Sequence, residues 1–219
     1  MTTTIEQMHD AVFVDAGNLL SFTAALPQQQ RGDVLDSNLF AQLAANRRYS
    51  RFDETRQWYR CYVDTLEQLA WRTSFDKSHR FMPAGPYFTL GETILGALTV
   101  PVDRRLIADA IARFDALPVD DRRGLLYVSF SYAPPTLVVQ ASACLAELVL
   151  TTVTVTVKTR QPVDRPFADA LNVLELLEDV QIDNYVGMLN LPVYSTIRQS
   201  VIDKLGDKRK EDILDLRDG

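Results

Sequence analysis

The run from Glu147 to Lys158 alternates with little interruption. Val149, Thr151, Val153, Val155 and Val157 share one face of an extended chain, and Leu148, Leu150, Thr152, Thr154 and Thr156 share the other. Consecutive β-branched side chains lose rotamer freedom in a helix and pack well on a pleated surface. The segment therefore predicts a strand. An isolated strand is not stable in water, so the chain must supply neighbours for it.

Candidate neighbours lie on both sides in sequence. Leu125 to Tyr132 alternates as Leu-Leu-Tyr-Val-Ser-Phe-Ser-Tyr, Pro134-Pro135 breaks the pattern, and Thr136 to Ala143 resumes it. Residues 169–190 are ambiguous. Ala170 to Glu178 has helical propensity, but three strands alone would leave the apolar face poorly covered, so a strand is expected there. Asp183-Asn184 reads as a turn, with Tyr185 to Leu191 as a last strand. Together these segments predict an antiparallel meander over about 124–191.

Helical spacing dominates elsewhere. Phe52 to Trp71 carries Asp53 and Glu54 in its first turn, then Tyr59, Tyr62, Val63, Leu66, Leu69 and Ala70 on one stripe. Thr89 to Leu98 and Asp103 to Leu117 read as two further helices. Pro192 opens a helix that runs to Leu205 and stops at Gly206. Asp207 to Leu216 reads as a short charged helix or a tail. Near the start, Ile5, Met8, Ala11, Val12, Asp15 and Ala16 give a weak helical stripe, Gln28 to Gly32 reads as a polar loop, and Ser37 to Asn46 as a short helix. Thr73 to Gly91, with Pro83-Ala-Gly-Pro86, is expected to be a connection. Segregated helical and strand runs predict an α+β fold: N-terminal helices over about 1–117, the sheet, then one or two C-terminal helices over about 192–216, with helices packed on one side of the sheet. At 219 residues and 47% hydrophobic content, one domain spanning 1–219 is expected. Pro-Val-Asp recurs at Pro101, Pro118 and Pro162 without a fixed period, so it reads as punctuation between elements.

Charge and motifs narrow the function classes. The net charge is −6, and the one dense basic cluster, Lys204, Lys208, Arg209 and Lys210, is interrupted by Asp207, Glu211 and Asp212. Nucleic acid is therefore not an expected partner. The first residues lack a basic n-region and an apolar run, and no stretch reaches the ~18 apolar residues of a membrane helix. A cytoplasmic protein is expected; export by a dedicated machine would leave no sequence trace. Cys61 and Cys144 form no C-x-x-C motif, and whether they pair is open from sequence.

No phosphate-binding glycine loop, nucleophile elbow or zinc spacing occurs, and no cofactor or metal is expected. His9 and His79 are isolated from each other and from both cysteines. The carboxylate pairs Asp53/Glu54, Asp120/Asp121 and Glu175/Glu178 show no convergence. This silence leans against an enzyme. The expected function is protein binding or self-assembly, probed most directly at Val153, Thr154, Val155, Thr156 and Val157 as an exposed strand edge. The alternative expectation is a signal-free bacterial toxin or effector acting at membranes. Glu147 to Lys158 has about the length of a barrel strand, ~9–11 residues, with the threonines facing water and the valines lipid.

Overall fold

One mixed sheet of eight strands organises the protein, and helices cover it on both faces. The computed structural model describes residues 10–216. In chain order the elements are β1 (Ala11–Asp15), β2 (Asn18–Phe22), α1 (Gln28–Asn46), α2 (Thr55–Gln68), β3 (Trp71–Phe81), β4 (Tyr87–Phe88), α3 (Leu90–Ala97), α4 (Pro101–Asp115), α5 (Arg122–Ser131), β5 (Tyr132–Ala133), β6 (Thr136–Cys144), β7 (Val149–Lys158), β8 (Leu171–Asn172), β9 (Val180–Leu189), α6 (Leu191–Leu205), α7 (Lys208–Asp212) and β10 (Ile213–Asp215). The sheet runs β10-β1-β2-β6-β7-β9-β3, with β5 paired to β6; β4 and β8 form a separate two-stranded ribbon.

All neighbours are antiparallel except β2 and β6, which run parallel with Asn18 opposite Gln140 and Phe22 opposite Cys144. Alternation sorts the side chains. Val12, Val14, Leu19, Leu137, Val139, Val153, Val155, Val157 and Ile182 pack beneath α3, α4 and Tyr127 of α5. Leu20, Phe22, Leu150, Tyr185 and Leu189 face the other way, beneath α1, α2 and α6. The result is three layers, because a sheet apolar on both faces must be covered on both.

Several expectations stand. The predicted helices over 52–71, 89–98, 103–117 and 192–205 are α2, α3, α4 and α6, and the strands at Thr136 to Ala143 and Glu147 to Lys158 are β6 and β7. Others need correcting. The sheet is not a simple meander, and the helices are interleaved with the strands and lie on both sides rather than one. Ala11 to Phe22 is a hairpin, not a helix: both strands are buried on both faces, so no alternation marks them, and a two-residue turn at Ala16-Gly17 with Ala16 at φ 50° joins them. The part of that stripe at Ile5 and Met8 lies outside the described residues, as does His9.

Gln28 to Gly32 is the first turn of α1, which extends well beyond the short helix expected at 37–46. Leu125 to Tyr132 is mostly α5, where the Asp121 carboxylate accepts the Arg123 N–H as an N-cap and Tyr127 and Ser131 share the buried face. Asp183-Asn184 sits within β9 rather than at a turn, paired to β7 on one side and β3 on the other. Thr73 to Phe81 belongs to the long strand β3, which the sequence hides because its side chains face water.

Candidate functional site

The structure places Val153, Thr154, Val155, Thr156 and Val157 in the middle of the sheet. β7 pairs with β6 through Val153↔Ala141 and Val155↔Val139, and with β9 through Val153↔Asn184 and Val155↔Ile182. Val153, Val155 and Val157 are core residues of the α3/α4 side, and Thr154 and Thr156 turn toward α2. These five residues offer no open edge in this structure, and a membrane role would require β7 to leave both partners. No helix among the described residues is long and apolar enough to cross a membrane.

The longer of the two outer strands is β3, the other being β10. It stands at the end of the sheet, bonded to β9 alone, with a register shift between Thr73 and Phe75. Arg72, Ser74, Asp76, Lys77, Ser78, His79 and Arg80 of this strand are all exposed, and Phe75 is 47% exposed. His79 contacts the Phe81 ring and joins no serine or carboxylate, so no triad forms around it. Cys61 and Cys144 are both buried and unbridged, and burial pushes the Cys144 thiol up to about 12.

Between the sheet and helices α1 and α2 lies a layer of buried polar side chains. It is the least expected feature of the molecule. Arg51, 4% exposed, sits in the loop between the two helices and points into the sheet. Its Nη1 donates to Gln42 Oε1 at 3.0 Å; its Nη2 donates to the Gly17 carbonyl at 3.0 Å, the Val138 carbonyl at 3.2 Å and Gln140 Oε1 at 3.0 Å. The guanidinium lies 4.3 Å from the Trp58 ring centroid. No carboxylate touches it, and desolvation lowers its pKa to about 10. The contact is close enough that a Cβ on Gly17 would overlap the guanidinium.

Next to it, Asp15 is fully buried. Asn38 Nδ2 donates to Asp15 Oδ2 at 2.6 Å, while Oδ1 has no partner. Burial pushes the carboxyl well above its ordinary range, helped by the charges of Asp36 and Asp212. The Tyr62 hydroxyl donates to Asn38 Oδ1 at 2.7 Å, and Asn18 links Asn38 to Ser142 and through it to Thr152. Toward β3, Asp183 is 1% exposed and accepts hydrogen bonds from Ser78 and from the Gln181 amide, and its pKa is raised by burial. The Tyr59 hydroxyl donates to Asp76 at 3.0 Å. Together these contacts join α1, α2 and six strands. Chemically the network is a set of fixed dipoles around one desolvated cation and two carboxyls whose pKa burial raises. Asp15 is wholly buried and Arg51 nearly so, and the hydrogen bonds hold the helices and strands they join in register.

The remaining carboxylate pairs serve structure. Asp121 pairs with Arg123 at 2.7 Å and is held below its usual range by it, Glu178 pairs with Lys158 at 2.8 Å, and Glu54 accepts the Ser50 N–H. No cluster of three potential metal ligands occurs among the described residues.

No family model matches the chain, and no curated protein matches it. Among solved structures, the Evf virulence factor is similar at 9% sequence identity, over 95% of this chain and 85% of that one, with a TM-score of 0.37.

Proposed function

We propose that this protein acts by assembly rather than catalysis, with two copies pairing antiparallel through the free edge of β3. The observation that carries this reading is an eleven-residue strand bonded on one side only. Open edges of that length are templates for pairing. The charges on β3 and its register shift at Thr73/Phe75 work against indiscriminate pairing, which leaves a complementary register as the productive one.

A two-fold symmetric pairing must centre on one residue. Centring on Asp76 sets Asp76 against its own copy, and centring on Lys77 does the same for lysine. Both oppose like charges. Centring on Ser78 sets Asp76 against the second copy's Arg80, and Phe75 against its Phe81, twice each by symmetry. That register matches charge with charge and ring with ring.

The test is light scattering over a concentration series, with charge-reversed variants. Asp76→Arg and Arg80→Asp should each weaken self-association. Mixing the two variants should restore it, since both facing 76/80 pairs are again of opposite sign. A monomer mass of 24.7 kDa at all concentrations for the unaltered protein would overturn the reading.

A further inference from the structure

A second feature points to a ligand. The N-terminus of α2 ends over the same face of the sheet, and a polar cleft of about 150 Å³ lies between them. Its floor is a row across three strands, Thr156 of β7, Gln181 of β9 and Arg80 of β3, which are register partners. Its wall is the first turn of α2, Thr55, Arg56 and Gln57.

Three observations converge on what the cleft would take. First, no side chain caps α2. The residues that would ordinarily do so are engaged backwards: Asp53 accepts from the Ser50 hydroxyl at 2.8 Å and Glu54 from the Ser50 N–H at 3.1 Å. The first-turn N–H groups, in residues that line the cleft, thus have no side-chain cap, and such groups favour negative charge. Second, the Thr156 hydroxyl is buried without a partner, in a residue only 8% exposed that lines the cleft. An orphaned buried hydroxyl costs stability unless something else bonds to it. Third, within a single copy and among the described residues, Arg80 contacts the Gln181 side-chain oxygen through Nε and Nη2 but makes no salt bridge, and Arg56 at the cleft makes none either. Lys158, by contrast, is neutralised by Glu178.

We propose that this cleft binds a small phosphate-type oxyanion. The α2 amides and the Thr156 hydroxyl would bond its oxygens, and Arg56 and Arg80 would balance its charge. The exposed carboxylates Asp53, Glu178 and Asp179 stand on the rim. They repel long polyanions and limit the site to an isolated anionic group that reaches the floor.

The test is titration calorimetry with inorganic phosphate and, separately, glycerol phosphate, against sodium chloride at matched ionic strength. The first arm reports a free ion and the second a phosphomonoester. Saturable binding is expected in at least one arm and none with chloride. Thr156→Val keeps the shape of the side chain and removes a hydroxyl that has no internal partner, so the fold should keep its stability. Binding should weaken roughly tenfold or more, as expected for losing a bond to a charged group. The exposed double variant Arg56→Gln/Arg80→Gln should abolish it, and it provides the decision if Thr156→Val fails to fold. Absence of saturable heat in both arms would overturn the proposal. So would affinity unchanged in the variants.

Discussion

Truncating Arg51 to alanine offers the sharpest examination of the buried polar layer. The guanidinium is the donor for the Gly17 carbonyl and for Gln140 Oε1 in a region closed to water. Each acceptor stranded in this way costs about 1–3 kcal/mol, so the pair sets a range of about 2–6 kcal/mol. Removing a desolvated charge offsets part of that, which places the expectation at about 2–4 kcal/mol. Gly17→Ala supplies the second arm. Gly17 does not have a positive φ, so alanine brings no backbone strain there; the three atoms nearest to its Cβ all belong to the guanidinium. Alone it should cost about as much as Arg51→Ala, because it evicts the same group. In the Arg51→Ala background it should add less than about 0.5 kcal/mol, the limit for uncoupled sites. Urea unfolding followed by fluorescence would give all four stabilities, with the slope unchanged across the set. Simple addition of the two single costs would refute the contact as the reason for glycine at position 17.

Other expectations follow from the same structure. The raised carboxyl pKa of Asp15, with Asp183, Asp36, Asp103, Asp115 and Asp212 shifted the same way, means that the folded state binds more protons than the unfolded chain above about pH 4. Stability should therefore fall as pH rises above about 4, and Asp15→Asn should flatten the slope; thermal melts at several pH values that show the opposite trend would contradict the assignment. Leu66→Ala, at a fully buried position of α2, should cost ~2–5 kcal/mol, measured by the same urea series. Val155→Asp places a charge in the core beneath α3 and α4 and should abolish soluble expression, whereas an exposed control, Val119→Asp, should not. A thiol reagent should label neither Cys61 nor Cys144 until the protein is unfolded; rapid labelling of the native protein would show that the core opens readily.

What the sequence made legible was what packing decides locally. The stripes of α2, α4 and α6 and the alternation of β7 emerged from residue spacing because each buries one face against a layer. β1 and β2 were hidden by being apolar on both sides, and β3 by being polar on nearly all of its length. In each case the burial is set by partners far along the chain, which no local window contains. The binding candidates suffered the same way. Val153 to Val157 have the composition of a strand, but whether a strand is an edge depends on how many neighbours find it, and β7 has two. Arg51 carried no signal of its own. A signal lay in α1, where Asn38 and Gln42 stand one turn apart beside Leu39 and Ala41, placing amides among core positions. Polar residues at core spacing point to partners of their own kind across the interface.

The parallel pairing of β2 with β6 has a consequence in time. Asn18 and Ser142, hydrogen-bonded in the finished protein, lie 124 positions apart. At a synthesis rate of 5–20 residues per second, the N-terminal hairpin would emerge and wait roughly 6–25 s for that strand to follow. Throughout that interval the edge of β2 that later receives β6 would lack its partner, although α1, α2 and α4, which cover Leu20, Phe22 and Leu19, are made before β6. The hairpin edge is thus the part of the newborn chain most open to pairing with a wrong strand before its own arrives.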